Sequence, residues 1–88
     1  MHELSIALSL VELAAEELAR LGDVRLEAVH VRVGTLSGVV PEALSFSFDV
    51  AADGTTIAGA RLEIEAVAGS RELQLRGLEV FDNAAADC

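Results

Sequence analysis

A small three-stranded sheet covered on one face by two helices, an α+β two-layer sandwich, is the fold this sequence predicts. Three observations carry it. Residues 4–21 repeat apolar side chains at helical spacing, residues 61–67 alternate with a period of two, and Pro41-Glu42 opens a second helical run after a valine-rich strand. The element order is then helix-strand-helix-strand-strand, and a sheet of that size buries one face by packing helices against it.

In the first helix Leu4, Ala7, Leu8, Val11, Ala14, Ala15 and Leu18 form a broad apolar face. Ser5, Ser9, Glu12, Glu16 and Arg20 form a narrow polar stripe opposite it. So broad a face implies a helix buried over most of its girth. Glu16 and Arg20 stand at i,i+4 in the favourable order, and Gly22 supplies the stop. The first strand spans residues 24–33, with Val29, Val31 and Val33 on one face and Ala28, His30 and Arg32 on the other. Val24 and Leu26 fall on the wrong parity, which predicts a bulge or a late strand start near Glu27. No second His, Cys or carboxylate pattern accompanies His30, so it reads as a half-exposed strand residue.

Gly34-Thr35-Leu36-Ser37-Gly38 reads as a loop whose two glycines permit positive φ. Without a following Gly-Lys-Ser/Thr it is no phosphate loop. Pro41 suits the first turn of the second helix and Glu42 its dipole. Leu44, Phe48 and Ala51 line the inner face, Phe46 and Val50 flank it, and Asp53-Gly54 ends the helix; a Phe pair at this spacing reads as core packing. In the second strand Leu62, Ile64 and Ala66 face inward and Arg61, Glu63 and Glu65 outward. Gly69-Ser70 makes a short hairpin turn into a third strand that starts at Arg71. Leu73 and Leu75 share one parity there, Leu78 and Val80 the other, and Gly77 marks the bulge between them. One domain thus occupies residues 1–81, and residues 82–88, which lack any period, read as a flexible C-terminal tail.

Composition removes several function classes. Six basic residues, all arginine, stand against 15 acidic ones for a net charge of −9. Binding to nucleic acid or to an anionic membrane rests on the opposite balance. No apolar stretch reaches membrane-spanning length and no basic leader opens the chain, so the cytoplasm is the expected compartment. With aromatic content of 3%, all Phe, the core is expected to be Leu, Val, Ile and Ala. Cys88, alone and last, permits neither an intramolecular disulfide nor a CxxC-based zinc site. No serine stands in a Gly-x-Ser-x-Gly elbow, the pairs Glu16-Glu17 and Glu63-Glu65 fall on solvated stripes, and nothing lowers the pKa of a terminal thiol. The chain does not read as an enzyme.

One stretch carries distinctive chemistry. In Met1-His2-Glu3, the α-amine, the His2 backbone nitrogen and the His2 ring can close two fused chelate rings around one metal, with a fourth donor from the Glu3 amide or carboxylate. That nitrogen-rich, near-planar set suits Ni(II) or Cu(II) rather than Mg(II) or Ca(II). On these residues alone, a solvated N-terminal histidine is the competing reading.

The blocks Met1-His2-Glu3-Leu4-Ser5-Ile6-Ala7 and Arg32-Val33-Gly34-x-Leu36-Ser37-Gly38-Val39-Val40-Pro41-Glu42-Ala43-Leu44 resemble the HypA-type hydrogenase nickel-incorporation proteins. Phe46-x-Phe48, Leu62-Glu63-Ile64-Glu65 and Glu72-Leu73-x-Leu75-x-x-Leu78-Glu79-Val80 extend the resemblance. It implies a nickel metallochaperone whose Ni(II) site uses Met1, His2 and Glu3. It further implies a maturation GTPase and the [NiFe]-hydrogenase large subunit, or urease, as partners. Family members normally insert a zinc domain with two CxxC pairs between the second and third strands. Here Ala66-Val67-Ala68-Gly69-Ser70-Arg71 bridges that gap, so zinc is not expected. A metal-independent adaptor or regulatory paralogue docking the same maturation proteins is the alternative, and the oligomeric state, a homo-oligomer included, stays open.

Overall fold

The computed structural model describes residues 2–83. Two helices and three strands follow in the expected order: α1 (Glu3–Leu21), β1 (Val24–Gly34), α2 (Pro41–Ala52), β2 (Arg61–Val67) and β3 (Leu73–Asp82). The strand order is β2-β1-β3, with β1 parallel to β2 and antiparallel to β3. The fold class is therefore the α+β sandwich that the periodicities imply, with β1 as the central strand.

Register sets the apolar face row by row. Val29 lies between Leu62 and Leu78, Val31 between Ile64 and Leu75, and Val33 between Ala66 and Leu73. The three valines join Ala7, Leu10, Val11, Ala14 and Leu18 of α1 and Leu44, Phe48 and Ala52 of α2 in one buried cluster. Phe48 is fully buried, so an aromatic ring does enter the core that composition alone would build from aliphatics. Both expected irregularities are present. Pairing between β1 and β3 slips between Leu26 and Ala28, leaving Glu27 as the extra residue, and again beside Gly77, where His30 and Val31 face Gly77 and Leu75.

Several expectations need correction. The turn after β2 is not a hairpin, because β1 lies between β2 and β3. Residues 68–72 instead cross the end of β1 and are tied to it. Gly34 N–H donates to the Glu72 carbonyl at 2.7 Å, Leu36 N–H to Ser70 at 2.8 Å and Thr35 N–H to Val67 at 3.0 Å. Gly34 is needed for this close passage rather than for positive φ, since a Cβ there would stand 2.1 Å from the Ser70 carbonyl oxygen. Gly38, at φ 82°, does use the left-handed region.

Nor is α1 buried over most of its girth: Leu4, Leu8, Leu13 and Leu21 are about half exposed. Arg20 pairs with Glu17 rather than Glu16. On α2, Phe46 is 70% exposed and Ala52 takes the buried place expected of Ala51. In β2, Ala66 is exposed. β3 starts at Leu73 rather than Arg71 and reaches Asp82, which pairs with Val24; Asn83 N–H then donates to Asp23. The third strand thus enters the segment read as a tail, whose remaining residues, Cys88 among them, lie outside the described ones.

Candidate metal centre

The expected ligands stand at the start of α1. His2 is its N-cap, and the first helical hydrogen bond runs from Ile6 N–H to the His2 carbonyl at 2.9 Å. The backbone nitrogens of His2 and Glu3 therefore precede the ladder, among the first four donors for which a helix offers no acceptor. The His2 side chain is exposed. Met1, the third member of the expected set, lies outside the described residues.

Glu3 is held differently. At 8% exposure it is the one buried charged residue among those described. Its Oε2 accepts a hydrogen bond from Val40 N–H at 3.1 Å. Val40 is the N-cap of α2, and Pro41 at the next position has no N–H to offer. The carboxylate thus joins the starts of both helices, where the macrodipoles favour negative charge. The chain's α-ammonium group, donating to this carboxylate, is the main reason the Glu3 pKa falls to about 2; the backbone N–H groups of Val40 and Glu3 add to it.

The second histidine sits elsewhere. His30 is half-exposed on the sheet face away from the helices, its Nε2 3.2 Å from Glu79 Oε1. Arg61 holds both nearby carboxylates, with Nε 2.9 Å from Glu63 and Nη2 3.6 Å from Glu79. Arg32 lies 3.7 Å from both Glu65 and Glu72. Those carboxylates neutralise arginines in a cross-strand ladder instead of converging on a cation. Among the described residues no group of three or more His, Cys, Asp or Glu side chains gathers as a metal cluster.

A metal bound at the chain start would therefore rely on main-chain nitrogen and the His2 ring. Those donors fit Ni(II) or Cu(II), which tolerate tetragonal nitrogen sets. The Glu3 carboxylate is already engaged by Val40. Sequence reading places Glu3 at the site but misses Val40, whose N–H becomes a partner only when the α2 start folds against α1. The available signal was a residue preceding a helix-opening proline, whose N–H can be claimed from outside its own helix.

Residues 1–76 match a family model described as hydrogenase/urease nickel incorporation, metallochaperone, hypA. A hydrogenase maturation factor HypA of Roseiflexus sp. (strain RS-1) is 64% identical over 67 residues, covering 76% of this chain and 54% of that protein. Its Chloroflexus aurantiacus counterpart is 55% identical over 67 residues, with 59% of its length covered. A Deinococcus radiodurans protein of the same description is 51% identical over 84 residues, covering 92% of this chain and 70% of the relative. The chain thus spans only a little over half the length of the first two relatives. Among the described residues no helix is long and apolar enough to cross a membrane.

Proposed function

The chain belongs to the HypA family of hydrogenase/urease nickel-incorporation metallochaperones, and from that membership we propose that it carries Ni(II) for maturation of a [NiFe]-hydrogenase, with urease a second destination. Nickel is its cargo. The ligands are the Met1 α-amine, the His2 backbone nitrogen and ring, and Glu3. The observation that supports this most is the start of α1, where exposed His2 and two backbone nitrogens that precede the helical ladder stand next to one another. The carrier is cytoplasmic and non-catalytic, receives or passes nickel with a maturation GTPase, and hands it toward the hydrogenase large subunit.

Ligand protons set the pH behaviour. Amine and imidazole bind metal only when deprotonated, so nickel affinity falls as pH drops through the range where imidazoles take up protons. Isothermal titration of protein with Met1 verified by mass spectrometry should give one Ni(II) per chain. His2→Ala should abolish that binding, and an N-terminal extension should weaken it severely. Undiminished uptake by His2→Ala would remove the assignment.

We propose also that the fold needs no zinc. The sequence has one cysteine, and the cluster spanning α1, α2 and β1 is built from apolar side chains. A chelator should leave circular dichroism and the melting temperature unchanged; stoichiometric zinc in purified protein would contradict this. One observation favours the adaptor reading. The Glu3 carboxylate has a structural partner in Val40 and would be retained without any metal. The two readings part on transfer: the carrier acquires nickel from the GTPase and loses that ability on His2→Ala, whereas the adaptor forms the same complex and never acquires nickel.

A further inference from the structure

The helix layer has an outer face that the sheet does not cover. α1 and α2 lie side by side and begin at the same end, where Glu3 meets Val40 N–H. Phe46 and Val50 each stand two residues from buried Phe48, about 200° around the helix, so they point away from the core. Leu8 stands in the same relation to buried Leu10, and Leu4 lies one turn before Leu8. All four are about half exposed or more, and Phe46 is the most exposed large hydrophobic among the described residues. Two i+4 rows therefore run along the outside of the layer, Leu4-Leu8-Glu12-Glu16 on α1 and Glu42-Phe46-Val50 on α2. An apolar patch of this kind, rimmed by charge, marks an interaction site.

Charge decides what covers it. Five of the six arginines, at 25, 32, 61, 71 and 76, belong to the sheet and its connecting link. There they neutralise Glu27, Glu63, Glu65, Glu72 and Glu79 within the chain. The helix layer has Arg20 alone, and that residue pairs with Glu17. Glu12, Glu16, Glu42 and Asp49 are exposed and form no salt bridge among the described residues. The uncompensated negative charge of the molecule is thus gathered around the patch. It repels phosphate backbones and anionic lipid headgroups alike, and it attracts lysine and arginine side chains.

Shape decides the form of that partner. The outer faces of two helices offer side-chain ridges and grooves but no free strand edge, so an added strand would find no backbone to pair with. We propose that the outer α1–α2 face docks an amphipathic helix of another protein, with its apolar stripe flanked by basic residues. The stripe packs on Leu4, Leu8, Phe46 and Val50. The flanking cations meet Glu12 and Glu16 on one side and Glu42 and Asp49 on the other.

Fluorescence anisotropy of the full chain with a labelled synthetic helix, leucine on one face and lysine along its flanks, tests this. The expected result is saturable binding whose Kd rises with salt. Phe46→Ser and Leu8→Ser, at exposed positions where circular dichroism should stay native, should each raise Kd by about tenfold. Glu12→Gln combined with Glu42→Gln should weaken binding and flatten its salt dependence. Leu13→Ser, on the opposite flank of α1, should leave Kd unchanged. Absence of binding, or equal binding of a helix with glutamate in place of lysine, overturns the proposal. So does a Kd indifferent to both Phe46→Ser and Leu8→Ser, or one raised as much by Leu13→Ser. Self-association of the chain that Phe46→Ser abolishes would assign the face to a second copy and overturn it as well.

Discussion

Val29, Val31 and Val33 of β1 and Leu78, Leu75 and Leu73 of β3 stand opposite one another in the same rows of the same sheet face, yet they live in different surroundings. The valines are 0%, 1% and 3% exposed, whereas Leu73 is 37% exposed and Leu75 and Leu78 are only partly buried. Residue type does not explain this, because leucine is the larger hydrophobe. Position does. β1 has a strand on each side and helices above it, while β3 is an edge strand. Alternation tells which face of a strand is apolar; it does not tell how completely that face is covered.

The largest expected difference between the two regions is in aromatic truncation. Phe48, fully buried between the layers, should cost about 3–5 kcal/mol when changed to Ala. Phe81, on β3, is 41% exposed and stacks under Arg25 at 4.9 Å, so Phe81→Ala should cost about 1 kcal/mol. Urea unfolding of both variants measures the contrast. Similar losses would mean that β3 is covered in solution as β1 is.

Two glycines sharpen the comparison at smaller scale. Gly34 ends the central strand under the crossing link, and a Cβ there collides with Ser70 backbone. The link must move or its hydrogen bonds to Gly34 and Leu36 must lengthen, so Gly34→Ala should cost about 1–3 kcal/mol. Gly77 lies on β3 without positive φ, and a Cβ added there would meet nothing within 4 Å. Gly77→Ala should stay within about 0.5 kcal/mol. A shift of the urea midpoint for Gly77→Ala as large as that for Gly34→Ala would show that the β3 edge is tightly packed after all.

These positions also show what sequence patterns carry. The parity breaks at Leu26 and at Gly77 announced both bulges, because an extra residue in a strand must invert the alternation. Strand order was not legible, since period-two patterns name faces and not neighbours. A short Gly-Ser connection therefore read as a hairpin, although it crosses β1. The exposed Leu13 was hidden for a related reason: helical periodicity describes one helix, whereas exposure depends on where the sheet ends beneath it. At the candidate site the donor chemistry proposed for Met1-His2-Glu3 was legible from residue type alone, and the second role of Glu3, its bond to Val40, was not, because Val40 lies 37 residues away.

That second role yields the smallest effect, one that appears only in acid. Glu3 closes the end of the molecule where α1 and α2 begin. Its carboxyl titrates at about 2 in the folded chain, against an ordinary value of 4.5. A folded-state pKa below the unfolded one means that the ionised form is favoured by folding. The stabilisation is then complete above the ordinary carboxylate range and is lost as pH falls from there toward 2. Glu3→Gln keeps an oxygen for Val40 N–H but removes the charge. Wild type should therefore exceed Glu3→Gln in stability by a constant margin between about pH 5 and 7, where the α-amine is still charged, and the margin should close progressively below about pH 5. Thermal unfolding of both proteins across this window measures it. A margin independent of pH would mean that the Val40 contact depends on shape alone, and that the charge at the start of α1 is available to a metal instead.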